Sequence, residues 1–131
     1  MIDLTKGIAV DAAHSTKNKV TEFQGIDLKT GKQVFYKNLG FETNNIGEFL
    51  AIVEAVKYII KTNYEPKIIY SDSVTAISWF TNKRTASKKK NWKLKEAEIY
   101  LNVCSVLVDE ITVKHWNNQK WGEIPADFGN K

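Results

Sequence analysis

Four acidic residues stand where the local pattern does not call for charge: Asp11, Glu48, Asp72 and Asp127. In KGIAVDAA, Lys6 to Ala13, strand periodicity sends Ile8, Val10 and Ala12 to one face and Ala9, Asp11 and Ala13 to the other. A carboxylate inside such a run loses hydration at a cost of several kcal/mol unless it is paired or meets a cation, and the flanking alanines leave space above it. The competing account is an Asp near a strand end, bonded to a loop amide. Glu48 interrupts a helical stripe at 48, 52, 55 and 59 whose other members, Ile52, Ala55 and Ile59, are apolar. An early Glu also suits the helix dipole, so that pattern alone does not decide. Asp72 follows Ile68-Ile69-Tyr70, at the carboxyl end of an expected strand, where open α/β sheets place their ligands. There a helix N-cap is the alternative. Asp127, in IPADFG, gains meaning only beside the other three.

Taken together, the set points to hard-metal chemistry. The chain has two histidines far apart, His14 and His115, a single cysteine and no glycine-rich phosphate loop. Clustered carboxylates offer oxygen donors, for which Mg²⁺ is the natural occupant and Mn²⁺ a substitute. Neither histidine is assigned a role, since a lone histidine is more often structural. Cys104 lies in the apolar pattern Ala97, Leu101, Cys104, Val108 and reads as a core residue.

The elements that must position these groups follow from the apolar spacing. Lys6 to Ala13, Val20 to Leu28 and Gln33 to Leu39 are three short apolar runs, the last two joined by Lys29-Thr30-Gly31-Lys32, which predicts three strands in hairpin order. Phe49, Ile52, Val53, Val56, Ile59 and Ile60 predict a helix from Asn45 to about Thr62. Pro66 opens a strand at Ile68 to Tyr70, and Ser71-Asp72-Ser73 leads into a helix reaching about Phe80. One long helix is expected from Lys93 to Glu110, a last strand from Ile111 to Trp116, and a short turn or helix in the tail WGEIPADFGNK. The order β-β-β-α-β-α-α-β-(α) reads as an α/β fold with one mixed sheet and helices packed on it.

At 131 residues the chain can bury one sizeable core, and residues 1–131 are expected to form a single domain. The start, MIDLTKG, lacks the apolar core of a signal peptide, and no run approaches membrane-spanning length. A soluble, cytoplasmic, monomeric protein is expected. The net charge of +4 fits a polyanionic partner. Its distribution says more: Lys83, Arg84, Lys88, Lys89, Lys90, Lys93 and Lys95 fall within thirteen positions, with Trp79 and Trp92 beside them. A solvated charge run is the plain alternative, but neighbouring aromatics favour nucleic acid.

These residues resemble the type 1 ribonuclease H family over nearly the whole chain. The Asp of AVDAAHS is similar to the family's first catalytic Asp, TNNIGEFLA to its segment of asparagines followed by a helix-borne Glu, and YSDSVTAISW to its strand-end Asp-Ser motif. WGEIPADFG resembles the ending of a bacterial branch, in which Asp127 is the fourth carboxylate and Glu123 an accessory one. All four occur in order at separations of 37, 24 and 55 residues. The resemblance implies a ribonuclease H-like fold, with a five-stranded mixed sheet whose first three strands are antiparallel. It also implies cleavage of the RNA strand of an RNA/DNA hybrid, leaving a 5′-phosphate and a 3′-hydroxyl.

By the same resemblance, two Mg²⁺ ions serve the reaction. Asp11 would bridge them, Asp127 would hold the one that activates water, and Glu48 with Asp72 would hold the one beside the leaving oxygen. Glu48, Asn44 and Asn45 become candidates for reading 2′-hydroxyls, which distinguish RNA from DNA. Thr43, Asn45 and Ser87 would form a pocket for a DNA phosphate, with Trp79 a flat surface beside the DNA sugars. Glu123 would help release the 5′-phosphate. Two departures stand out: His14-Ser15-Thr16-Lys17-Asn18-Lys19 replaces a small Gly/Asn/Pro-rich turn, and Lys88 occupies a place where relatives carry a small hydroxyl residue. With ten residues ahead of Asp11, no N-terminal hybrid-binding domain is expected. The alternatives are another nuclease of the same fold, or a non-catalytic module that binds hybrids, which should lack at least one carboxylate.

Overall fold

A computed structural model describes residues 6–15, 17–86 and 91–128. Strand β1 (Ile8–Ser15) pairs antiparallel with β2 (Val20–Asp27), which pairs antiparallel with β3 (Gln33–Gly40). The chain then forms α1 (Asn44–Thr62), β4 (Ile68–Ser71), α2 (Val74–Asn82), α3 (Trp92–Val103), α4 (Ser105–Val108), β5 (Thr112–His115) and α5 (Asn118–Trp121). Strands β4 and β5 are parallel to β1, and the sheet order is β3-β2-β1-β4-β5. This is the expected five-stranded mixed sheet with its first three strands antiparallel, the arrangement that the resemblance implies. No helix among the described residues is long and apolar enough to cross a membrane.

Alternation along β1 divides the interior. Ile8, Val10 and Ala12 join the main core with Ile46, Phe49, Ile52, Val56 and Ile59 of α1. On the opposite face Ala9 joins a smaller cluster with Tyr70, Trp116, Ile124 and Ala126. The space that the alanines leave over this face is therefore filled at Ala9 by the chain's own aromatic and tail residues. Helix α1 starts where Thr43 accepts a hydrogen bond from Ile46 N–H at 3.3 Å, and ends at Asn63 in the left-handed region, φ 54°.

Three boundaries differ from the sequence reading. β1 begins at Ile8 because Gly7 has φ +119° and gives its carbonyl to Leu28 N–H, and it continues through Ser15, which pairs with Val20. His14 and Ser15 of the 14–19 segment are thus strand, and Lys19 lies in the turn at φ 52°. The expected helix from Lys93 to Glu110 is interrupted at Cys104, where the backbone takes φ −96° and ψ 21° between weak helix formers, Val103 on one side and Ser105 and Val106 on the other. Cys104 is half-buried at this break and packs against the core without belonging to its fully buried set.

Candidate active site

The parallel pair β1 and β4 is hydrogen-bonded in register only at Ile8 with Ile69 and Ala9 with Tyr70. Asp11 and Asp72 each lie two residues beyond the Ala9–Tyr70 pair, on the carboxyl side, where the two strands part. The third member comes from α1, whose first turns cross this opening. Glu48 there is 4% exposed, and its carboxylate accepts a hydrogen bond from Ala12 N–H. The stripe 48, 52, 55 and 59 is buried throughout, so Glu48 is the charged end of a core-facing row.

Close approach makes this reach possible. A Cβ added at Gly47 would come within 2.7 Å of Thr21 Cγ2 and 3.1 Å of Ala12 Cβ. With hydrogen there instead, α1 settles on the β1–β2 ladder and delivers the adjacent Glu48 to the Asp11 backbone level.

Ligand atoms of Asp11, Glu48 and Asp72 lie within 4.8 Å of one another. Among the described residues no Lys, Arg or His forms an ion pair with any of the three. The cost of that arrangement appears in the titration of the buried pair. Burial, then the Asp72 charge, raises the Asp11 carboxyl to about 7. Burial, then the Asp11 charge and the hydrogen bond between the two carboxyls, raises Glu48 to about 10. Buried like charges without a basic partner are the donor set expected of a divalent-cation site, since the ion supplies the missing positive charge. Three carboxylates suit a hard, oxygen-seeking ion such as Mg²⁺ or Mn²⁺.

Asp72 is free to act as a ligand because Ser73 does the capping: its hydroxyl accepts from Ala76 N–H at 3.1 Å to start α2. Asp127 lies outside the 4.8 Å group, and its charge is the smallest of the causes that raise Asp11. The preceding carbonyl, of Ala126, accepts from Gln24 Nε2 at 2.6 Å, and Gln24 is the ladder partner of Asp11. Glu123 is exposed, one residue after Gly122 at φ +81°.

Thr43, Asn44 and Asn45 are all exposed at the amino end of α1, one turn ahead of Glu48. Trp79 is elsewhere in character: only 7% exposed, it packs edge-on against Phe49 at 5.8 Å between ring centres, so it is a core ring in this structure. Ser87 and Lys88 to Lys90 lie outside the described residues. Of the remaining basic run, Lys83 caps α2 in the left-handed region and pairs with Asp109 at 2.8 Å, whereas Lys93 and Lys95 are exposed on α3. His14 is exposed, with Nδ1 2.7 Å from the Thr21 hydroxyl.

Two residues of this site escaped the sequence reading. Gln24 holds the tail, and Asn118 donates from Nδ2 to Asp72 Oδ2 at 2.9 Å. Neither lies in a motif. Asn117-Asn118 looks like an ordinary turn before a short helix, and only the β4–β5 pairing brings it beside Asp72.

Comparison with known proteins agrees with this geometry. A family model described as RNase H matches residues 6–130. LC11-RNase H1, isolated from compost by a metagenomic approach, superposes with a TM-score of 0.58 at 17% identity, over 86% of this chain and 84% of that one. LC11-RNase H1 in complex with an RNA/DNA hybrid gives 0.54 at 17% identity, over 86% of both chains. The N-terminal RNase H domain of rv2228c from Mycobacterium tuberculosis, solved as a fusion with maltose binding protein, gives 0.53 at 10% identity, over 86% of this chain and 84% of that one. At these identities the structural likeness is one of fold.

Proposed function

The chain belongs to the RNase H family, and from that premise we propose that it is a type 1 ribonuclease H of the branch with a Trp-Gly-Glu-x-x-Ala-Asp ending, a single catalytic domain over residues 1–131. It hydrolyses the RNA strand of RNA/DNA hybrids with divalent metal, leaving a 5′-phosphate and a 3′-hydroxyl. The observation that carries this reading is the cluster of buried Asp11 and Glu48 with half-buried Asp72, without a basic partner among the described residues, at the parting of β1 and β4. The hybrid as substrate is supported by LC11-RNase H1, which has been solved with one.

Asp11, Glu48, Asp72 and Asp127 would hold two Mg²⁺, which when bound supply stabilisation of phosphate charge and an acidified water. The protein's own part is positioning. Asp11 and Glu48 are locked by burial and by the Ala12 N–H, so the ligand atoms are in place before substrate arrives. Thr43, Asn44 and Asn45 offer amides, a hydroxyl and the free N–H groups of a helix start at the rim beside Glu48. That combination can read 2′-hydroxyls and grip a phosphate without entering a deep groove. Glu123, exposed beyond Gly122 and four residues before Asp127, suits a role in product departure.

The test is direct. A labelled hybrid, duplex RNA and duplex DNA are each incubated with Mg²⁺ and with EDTA. Cutting of the hybrid's RNA strand alone, and only with Mg²⁺, is expected. Binding of the hybrid without cutting would make the chain a binding module, and cutting of duplex DNA would make it another nuclease on this fold.

A further inference from the structure

Asn118 makes two hydrogen bonds that no other side chain among the described residues duplicates. Its Nδ2 donates to Asp72 Oδ2 at 2.9 Å, and its Oδ1 accepts from Ile124 N–H at 3.0 Å. A backbone N–H can only donate and a carboxylate oxygen accepts, so the amide orientation is fixed by its two partners together. Asn118 itself is held: it opens α5, whose cap is the Asn117 side chain, accepting from Gln119 and Lys120 N–H at 3.0 Å. Just before it, Trp116 N–H donates to Ser71 carbonyl at 2.8 Å, so the ends of β4 and β5 are tied next to each other.

We propose that Asn118 is a positioning residue that fixes the rotation of the Asp72 carboxylate for metal and links that carboxylate to the segment carrying Glu123 and Asp127. The inference rests on the metal-dependent reading above. Held at Oδ2 by the Asn118 amide, Asp72 keeps one orientation, in which a carboxylate oxygen lies within 4.8 Å of ligand atoms of Asp11 and Glu48. Partners of ligating carboxylates of this kind typically govern metal affinity by about tenfold or more. The second bond gives the link its reach. Ile124 is 1% exposed, and its carbonyl accepts from Asp127 N–H at 2.9 Å, so a shift at Asn118 passes to Asp127 through one turn of chain.

The experiment measures Mg²⁺ binding through the Mg²⁺-dependent rise in unfolding temperature, so that cleavage is not the only readout. Asn118→Ala is expected to raise the Mg²⁺ concentration giving half the thermal shift by about tenfold. Single-turnover cleavage should approach the wild-type rate as Mg²⁺ is raised. Asn118→Ser, retaining one polar atom, should move the same way by less, and it guards against failure of the alanine variant to fold. In an Asp72→Asn background the further cost of Asn118→Ala should fall below about twofold, because the carboxylate it positions is gone. An unchanged Mg²⁺ midpoint in Asn118→Ala overturns the proposal, as does a tenfold cost that persists in the Asp72→Asn background, which would route the effect through the tail alone. If the wild-type protein shows no Mg²⁺-dependent shift, the metal-dependent reading itself fails and the inference falls with it.

Discussion

Replacing Glu48 by glutamine should make the metal-free protein more stable at neutral pH while abolishing its catalysis. Burial, followed by the Asp11 charge, lifts the Glu48 carboxyl from 4.5 to about 10, so it carries a proton at pH 7. A group whose folded-state pKa lies above its unfolded value makes its full contribution below the unfolded pKa and loses it as pH rises through the folded one. For Glu48 the loss therefore starts near pH 4.5 and accumulates upwards. At about 1.4 kcal/mol per pH unit it reaches about 3 kcal/mol by pH 7. Asp11, raised to about 7, loses stability over the lower part of the same range. Asp11 is present in both proteins, so the Glu48 figure alone enters the comparison. Glutamine preserves the bonding: its carbonyl accepts from Ala12 N–H as Oε1 does, and its NH₂ donates to Asp11 in place of the proton. Urea or thermal unfolding in EDTA from pH 4 to 8 should show the two proteins coinciding near pH 4 and separating to about 3 kcal/mol, roughly 10 °C, at pH 7. Adding Mg²⁺ should narrow the gap by stabilising the wild type alone. Parallel pH profiles, or a variant less stable than wild type at pH 7, would refute the account of the cluster as uncompensated charge.

Three further outcomes follow from the same geometry. Asp72→Asn should remove cleavage in Mg²⁺ and leave the circular dichroism spectrum unchanged, since Ser73 rather than Asp72 caps α2; measurable wild-type-like turnover would contradict its place in the cluster. Gly47→Ala puts a Cβ 2.7 Å from Thr21 Cγ2, so it should cost about 1–3 kcal/mol in unfolding and raise the Mg²⁺ requirement as α1 lifts Glu48 away from Ala12; full stability with unchanged Mg²⁺ dependence would show that the helix does not need that closeness. Glu123→Gln should lower steady-state turnover clearly, with single-turnover cleavage less affected and substrate affinity nearly constant; equal losses in both regimes would place Glu123 in the chemical step.

The order of elements and the face assignments in β1 and α1 were legible because burial imposes its period on the sequence. Ile8, Val10 and Ala12 against Ala9 follow the strand alternation, and Glu48, Ile52, Ala55 and Ile59 the helical stripe. Asp11 and Glu48 were legible for a related reason, as charge placed where the period asks for an apolar side chain, and Asp72 from its place at the carboxyl end of a strand. Trp79 was not: an aromatic beside a basic run looks the same in sequence whether it lies in the core or on the surface, and packing on Phe49 decided for the core. The break at Cys104 was hidden because Leu101, Cys104 and Val108 continue the apolar spacing through it. Gln24 and Asn118 were invisible for want of any local anomaly. Their roles arise from partners 102 and 46 residues away, which only the sheet brings within reach.

The tail shows how a small second core can serve chemistry at its edge. Ile124 and Ala126, 1% and 0% exposed, are buried with Ala9, Tyr70 and Trp116 on the sheet face opposite α1. Gln24 holds the Ala126 carbonyl, Asn118 the Ile124 N–H, and the Trp116 indole donates to the Gly122 carbonyl at 2.9 Å. Apolar burial and three polar ties therefore bracket the exposed Glu123, and the buried Ala126 directly precedes Asp127. A carboxylate next to an anchored residue returns to the same place, as a metal ligand must, whereas one between anchors and facing solvent can swing without unfolding its neighbours. That division matches the roles proposed for Asp127 and Glu123, and it arises from which side chains of a short tail are apolar enough to be buried.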